Sequence, residues 1–226
     1  MQRTTGQVVA TYATAALAEG RAMFLGSEAI REELDKIFKD PLKFKEDQLQ
    51  HCSYDLRLGS EAYVLGEQAP KELRTSDPYL TLSPGQFAIL TCYEDIRLDR
   101  ELMAFITLRN RFKMQGLVNV SGFHVDPTFQ EKLVFAVQNV GPSDIRLKFM
   151  EPTFTILFAR VEKNDKPPRK DVRKGIELPD IQQLGGSTIT LSKLQKDIDR
   201  LQMMFLIYAP FAVAATAALI IALVKK

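Results

Sequence analysis

Three cations stand within five residues near the middle of the chain: Arg109, Arg111 and Lys113, in the run Arg109-Asn110-Arg111-Phe112-Lys113-Met114. Guanidinium and ammonium groups suit phosphate, Arg through a planar fork of donors and Lys as a point charge. The same spacing also fits a solvated strand face, so the run offers phosphate recognition or plain solubility. His124 reads as a ligand contact or as a satisfied imidazole of a core or turn. Asp55 reads as a site carboxylate or a strand-end one. Cys52 and Cys92 form no CxxC pair, and with His51 and His124 as the only histidines the chain does not assemble a zinc site. Charged residues make up 26% of the chain but the net charge is only +2, which excludes a nucleic-acid binder with a broad basic face.

The elements that must position these residues follow from periodicity. Ser27 to Phe38 predicts a capped helix, with Ser27 as cap, Ile30, Leu34, Ile37 and Phe38 on one face, and Asp40-Pro41 as the stop. From Ser53 to Val161 short alternating runs such as YDLRLG, LMAFITL and EKLVFAVQNV are punctuated by Gly, Pro, Asn and Asp. That pattern predicts an antiparallel sandwich or barrel of about eight to ten strands rather than a βαβ fold. The expected organisation is an N-terminal arm over residues 1–25, a β domain over 26–162, a charged linker over 163–186, an amphipathic helix over 187–202 and an apolar helix over 203–224. The stretch Glu162 to Gly175 is too charged to bury a core.

The C-terminal segment sets the class of protein expected. Met203 to Val224 is uncharged and is followed by Lys225 and Lys226. At 1.5 Å per residue it spans the roughly 30 Å hydrocarbon core of a bilayer. Leu191, Leu194, Ile198, Leu201, Phe205 and Tyr208 fall at alternating spacings of 3 and 4, an a/d seam that would let several copies meet on one axis. Ala214, Ala218 and Ala222 permit close helix contact in lipid, and Pro210 is expected to kink or locally unwind the span. No secretory signal opens the sequence. The expectation is therefore a single-pass protein of the cell membrane, with its N-terminal domain in the cytoplasm and the lipid bilayer as one partner.

Two stretches resemble the dCTP deaminase and dUTPase superfamily. One is Ser53-Tyr54-Asp55-Leu56-Arg57-Leu58-Gly59, similar to the family's SxDLRLG and preceded by the short helix and Asp40-Pro41. The other runs from Leu82-Ser83-Pro84-Gly85 through Leu108–Leu117 and Gly122-Phe123-His124-Val125-Asp126-Pro127 to Gln138-Asn139. The resemblance implies a mainly β fold, a dUTPase-like distorted β-barrel with a short N-terminal helix. It also implies a homotrimer with nucleotide sites between subunits, although the helical seam alone would also fit a tetramer. By the same resemblance Arg109, Asn110, Arg111 and Lys113 stand at the phosphate motif and Asp126 at the deoxyribose. His124 and Gln138 complete the expected ligand-binding set. No cofactor is implied beyond Mg2+ arriving with a bound nucleotide.

The departures from the pattern shape the functional expectation. Asn110 and Arg111 replace the family's Ser pair, and its later Arg falls on Met114. The catalytic Glu of the deaminases falls on Ala136, whose methyl has no lone pair to take a proton, and a small Gly falls on Glu131. The set therefore names no catalytic residue. Three readings result: a membrane-tethered, catalytically degenerate sensor of a nucleotide or short oligonucleotide; an active tethered dCTP deaminase or dUTP hydrolase, with Glu131 as base; and a membrane scaffold without a ligand. The first resembles, in architecture, effectors of nucleotide-signalled antiviral defence and would act as a channel or membrane-disrupting bundle.

Overall fold

The computed structural model describes residues 23–162, 167, 175–177 and 191–224. Of the expected segments, the N-terminal arm and the 163–186 linker therefore lie almost wholly outside the described residues, as does Ser187, the expected cap of the last helix.

The alternating runs form ten strands: β1 (Tyr54–Val64), β2 (Lys71–Glu72), β3 (Tyr79–Leu82), β4 (Phe87–Arg97), β5 (Leu102–Leu108), β6 (Leu117–Asn119), β7 (His124–Val125), β8 (Gln130–Asn139), β9 (Ile145–Lys148) and β10 (Pro152–Arg160). The main sheet has the order β6-β8-β4-β1-β10-β5-β7, with β2 beside β1, and curls into a half-barrel; β3 and β9 pair separately. Every pairing is antiparallel. The mainly β, dUTPase-like fold expected from the sequence is the fold observed.

Period-2 patterning closes the core. Along β8, Leu133, Phe135 and Val137 are buried while Lys132, Val134, Ala136 and Gln138 on the other face are half-exposed. Phe135 stacks on Phe154 of β10 with ring centroids 3.7 Å apart, joining strands from across the sheet. Each fully buried Leu or Phe contributes about 1.5–3 kcal/mol through apolar surface withheld from water. β1 bulges between Leu58 and Ala62, where Gly59 is required: a Cβ there would lie 2.6 Å from the Cys92 carbonyl oxygen.

The N-terminal helix differs from expectation. It is two short pieces, α1 (Ser27–Glu32) and α2 (Leu34–Ile37), broken at Glu33, whose φ of −110° and ψ of 23° leave the helical region. Gly26 occupies the cap position, and the Ser27 N–H is used elsewhere, donating to the His51 carbonyl at 2.8 Å. Docking explains the break: Phe38 must bridge to Ile96 and Lys39 N–H must reach the Asp95 carbonyl, which a straight helix would not allow. Ile30, Ile37 and Phe38 are buried as expected, while Leu34 is only partly so. Asp40 does stop the element, its carboxylate accepting from Leu42 N–H at 3.1 Å to cap a 3-10 turn at Pro41–Lys43.

Two further helices matter for function. The cationic run forms α3 (Asn110–Lys113), one turn between β5 and β6, so it is not a strand face. At the C-terminus α4 (Leu191–Val224) is one continuous 34-residue helix. It joins the expected amphipathic and apolar segments, and it passes through Pro210 without unwinding, although proline has no N–H for the carbonyl four residues before it. Thr216 returns its hydroxyl to the Ala212 and Val213 carbonyls at 3.0 and 2.9 Å, so the helix hides its own polar group. By length and composition the stretch Lys196–Ala218 can cross a membrane.

Candidate functional site

α3 holds its cations at the end of β5. Arg109 keeps extended geometry (φ −60°, ψ 142°) as the helix cap and donates its backbone N–H to the Thr153 carbonyl at 3.0 Å. Gly116 then turns the chain at φ +95° beneath Gly141; a Cβ on Gly116 would lie 2.4 Å from the Gly141 Cα. This crossing ties the cationic turn to the end of β8.

Each cation has a different environment. Arg109 Nε sits 3.3 Å from Asp55 Oδ2; the Asp55 side chain is 5% exposed and that of Arg109 is 42% exposed. Asp55 also accepts from the Thr155 hydroxyl at 2.7 Å. The motif carboxylate is therefore a buried anchor near the start of β1, a strand-end group that aims a half-exposed guanidinium outward. Arg111 is paired with Glu151 at 2.5 Å, and its guanidinium lies 4.9 Å from the Phe112 ring centroid. Among the described residues the exposed Lys113 ammonium makes a single 3.4 Å contact, to the Thr107 hydroxyl. Three cations face two carboxylates, leaving one net positive charge and, among the described residues, one ammonium without an ion pair. Asn110 opens α3 and is exposed.

His124 and Asp126 lie elsewhere. His124 pairs with Phe105 in the register of β5 and β7, which puts Asp126 opposite Met103. Arg109 is six residues further along, so the two groups stand ~20 Å apart along the strand at about 3.3 Å per residue. His124 Nε2 is 3.5 Å from Asp126 Oδ1, and both side chains are exposed by more than 40%, so His124 is no core imidazole. Gln138 lies on β8 opposite Val118, with its amide nitrogen 3.4 Å from the Gly85 carbonyl. One chain therefore does not gather the expected ligand-binding residues into one pocket. They form a cationic turn, an imidazole–carboxylate pair at the other end of β5, and a separate amide.

Position 136 is decided by parity. Ala136 shares the outward face of β8 with Val134 and Gln138, and its carbonyl accepts from Val120 and Ser121 N–H at 2.8 and 3.3 Å. Glu131 is an odd number of residues away and so points to the buried face, where its Oε1 has no hydrogen-bond partner among the described residues. Glu131 therefore cannot reach the space in front of Ala136, which corrects its expected role as a substitute base.

The sequence did not single out three features. Arg57 and Glu94 form a buried ion pair: Arg57 donates from its backbone N–H and Nε to Glu94 at 2.9 and 2.6 Å, and from Nη2 to the Lys43 carbonyl. Burial outweighs the Arg57 bonds and pushes the Glu94 carboxyl above the usual range. Thr128, two residues after Asp126, adopts φ +69°, a left-handed conformation costly for a β-branched residue. Phe24, Phe105 and Phe123 form an aromatic row on the outer face, with centroid spacings of 6.2 and 6.2 Å. Arg57 stands in the SYDLRLG motif, but its partner is 37 residues away, and only the sheet brings them together.

A curled antiparallel sheet with a short helical turn at its phosphate-type motif defines a dUTPase-like β protein. Residues 24–161 match the model of the dCTP deaminase-like family, and the chain belongs to that family. It is 33% identical over 154 residues to a dCTP deaminase of Thermococcus kodakarensis, covering 68% of this chain and 93% of that relative. It is 24% identical over 194 residues to a dUMP-forming dCTP deaminase of Methanosphaera stadtmanae, covering 77% and 95%. Among solved structures it is similar to the dCTP deaminase of Agrobacterium tumefaciens, with TM-score 0.51, 19% identity, and 62% and 49% of the two chains covered. The chain thus spans about half the length of that structure, and this likeness speaks for the fold alone.

Proposed function

We propose that this protein is a membrane-anchored, non-catalytic nucleotide sensor whose helices form an oligomeric bundle that responds to the bound nucleotide. The carrying observation is the outward face of β8. Where the deaminase pattern requires a carboxylate there is the Ala136 methyl, flanked on that face by Val134 and Gln138, while Glu131 points the other way. General acid–base groups typically supply about 10²–10⁴-fold each, so their loss lowers turnover by orders of magnitude.

The nucleotide site is formed between subunits. The separation along β5 of the cationic turn from His124 (~13 Å) and from Asp126 (~20 Å) leaves each chain with two half-sites, and a homotrimer would join one half to the other half of a neighbour. Arg109, Arg111 and Lys113 hold phosphate, and Asp126 and His124 face the sugar or base. α4 inserts its apolar length into the cell membrane, with the β domain in the cytoplasm, and the bundle controls ion permeability as a defence effector would. A ligand can shift such a bundle only as far as its affinity differs between the bundle's states.

A second reading, an active tethered dCTP deaminase, is favoured by the similarity to the Thermococcus dCTP deaminase. Incubating purified full-length chain with dCTP or dUTP and Mg2+ separates the two. No dUTP, dUMP or pyrophosphate above a heat-killed control is expected, and turnover lost in Asp126→Ala would overturn the sensor reading. Arg111→Ala should weaken nucleotide binding about tenfold, the worth of one charge-assisted contact. If the full chain and a chain ending at Gly186 affect membrane potential alike on expression, α4 is only an anchor; if neither nucleotides nor oligonucleotides bind, the scaffold reading stands.

A further inference from the structure

We propose that the exposed face of the β3–β9 ribbon is a docking surface for anionic lipid headgroups, which seats the β domain on the membrane its own helix enters. This rests on the membrane reading of α4 given above.

The ribbon alternates cleanly. Leu80, Leu82, Ile145 and Leu147 are buried, while Tyr79, Thr81, Arg146 and Lys148 are exposed on the other face. Tyr79 pairs directly with Lys148, and Thr81 with Arg146. The Arg146 guanidinium lies 3.6 Å from the Tyr79 ring centroid, a cation–π contact that holds it over the aromatic face. Two nearby cations are neutralised: Lys71 lies 3.0 Å from Asp77, and Arg74 pairs with Glu72 at 2.5 Å. Arg146 and Lys148 have no ion pair among the described residues. A tyrosine beside two uncompensated cations combines an amphipathic ring with charges suited to the headgroup level of a bilayer.

The path of the chain selects the membrane as occupant. Before α4, the chain is pinned to the same end of the domain. Ile176 N–H donates to Glu61 Oε2 at 3.1 Å, and Gly175 packs so closely that a Cβ would lie 2.3 Å from that carboxylate. Glu61 pairs with Glu72 of β2, and neighbouring Lys71 donates to the Tyr79 carbonyl at 3.0 Å. The exit point and the ribbon are thus contiguous. Residues 178–190 cover at most about 45 Å even fully extended, so the ribbon stays within reach of the bilayer.

Magnitude separates lipid from nucleic acid. A cation near an anionic leaflet is worth about fivefold in binding, so two give roughly thirtyfold. That is too little to capture a freely diffusing polyanion, which needs many phosphate contacts, but it suffices to orient a domain already tethered at high effective concentration.

The chain has no tryptophan, so Tyr79→Trp in the full-length protein gives a single-site reporter. It would be reconstituted in nanodiscs of phosphatidylcholine alone or with phosphatidylglycerol, with brominated acyl chains as quencher. Quenching in the anionic discs only, lost in about 0.5 M salt and in the added Arg146→Gln/Lys148→Gln variant, is expected. Unfolding midpoints should show that variant as stable as its parent. Absence of quenching with the chain stably incorporated would overturn the docking surface and leave the span intact. Equal quenching in neutral discs would overturn the charge argument. An emission change on adding inorganic phosphate or oligonucleotide to neutral discs would replace the lipid by a soluble anion. Failure to incorporate into either disc would remove the membrane reading, and the surface with it.

Discussion

The barrel and α4 draw on the same apolar residue types and put them in opposite places. In the β domain Phe112, Phe135, Phe154 and Phe158 are fully buried; along α4 Phe205, Leu206, Phe211 and Ile220 are all more than half exposed. A period-2 strand needs only one apolar face and finds its partner across the sheet. The 203–224 stretch of α4 is apolar on every side and has no such partner among the described residues. Under the membrane reading proposed above its burial comes from lipid or from other copies, whereas the β domain buries its core within one chain. The two regions should therefore respond differently to the same substitution.

The largest contrast is expected from truncating aromatics. Phe154→Ala removes half of the 3.7 Å stack and should cost about 3–5 kcal/mol in urea unfolding of the β domain. Phe205→Ala in α4 should leave that transition unmoved and change only assembly in detergent or bilayer. If both variants shift the β-domain transition equally, α4 packs on the barrel and the division fails.

Next comes the buried pair. Glu94→Ala strands Arg57 without its carboxylate and should cost about 3 kcal/mol, as broken buried ion pairs do. Glu94→Gln keeps an acceptor and should cost less. Glu94 also sets a pH dependence. Its carboxyl is raised above 4.5 in the fold, so the folded state holds the proton more tightly than the unfolded chain. The associated stability is present below pH 4.5 and is lost as pH rises through the folded value. Wild type compared with Glu94→Gln should show that decline; a difference that grows with pH would show that Arg57 outweighs burial.

The smallest effect concerns the strained residue beside Asp126. Thr128→Gly removes a positive-φ penalty and gives part of it back as chain entropy, for a net gain of about 1 kcal/mol. A loss instead would show that the Thr128 side chain is held by contacts that outweigh its backbone.

Much of this was legible in the order of residues. Alternation along EKLVFAVQNV fixed which side chains of β8 are buried, and SYDLRLG with HVDP led to the family that the match over residues 24–161 shows. The break at Glu33 was not legible, because it serves the contact of Phe38 with Ile96, 58 positions away. Nor was the helical turn at Asn110–Lys113: three cations at alternate positions fit a strand as well, and only Gly116 packed under Gly141 decides for the turn.

Local periodicity and turn chemistry thus set, from sequence alone, the strands, the buried faces, the apolar C-terminal helix and the alanine at position 136, because each depends on residues a few positions apart. Tertiary structure decided what depends on register between distant strands. It paired Asp55 with Arg109 and Arg57 with Glu94, turned Glu131 inward to the buried face, and set the cationic turn ~20 Å from Asp126 along β5. Those relations depend on where β-strands lie beside one another, and side-chain patterning within a single strand carries no record of its neighbour.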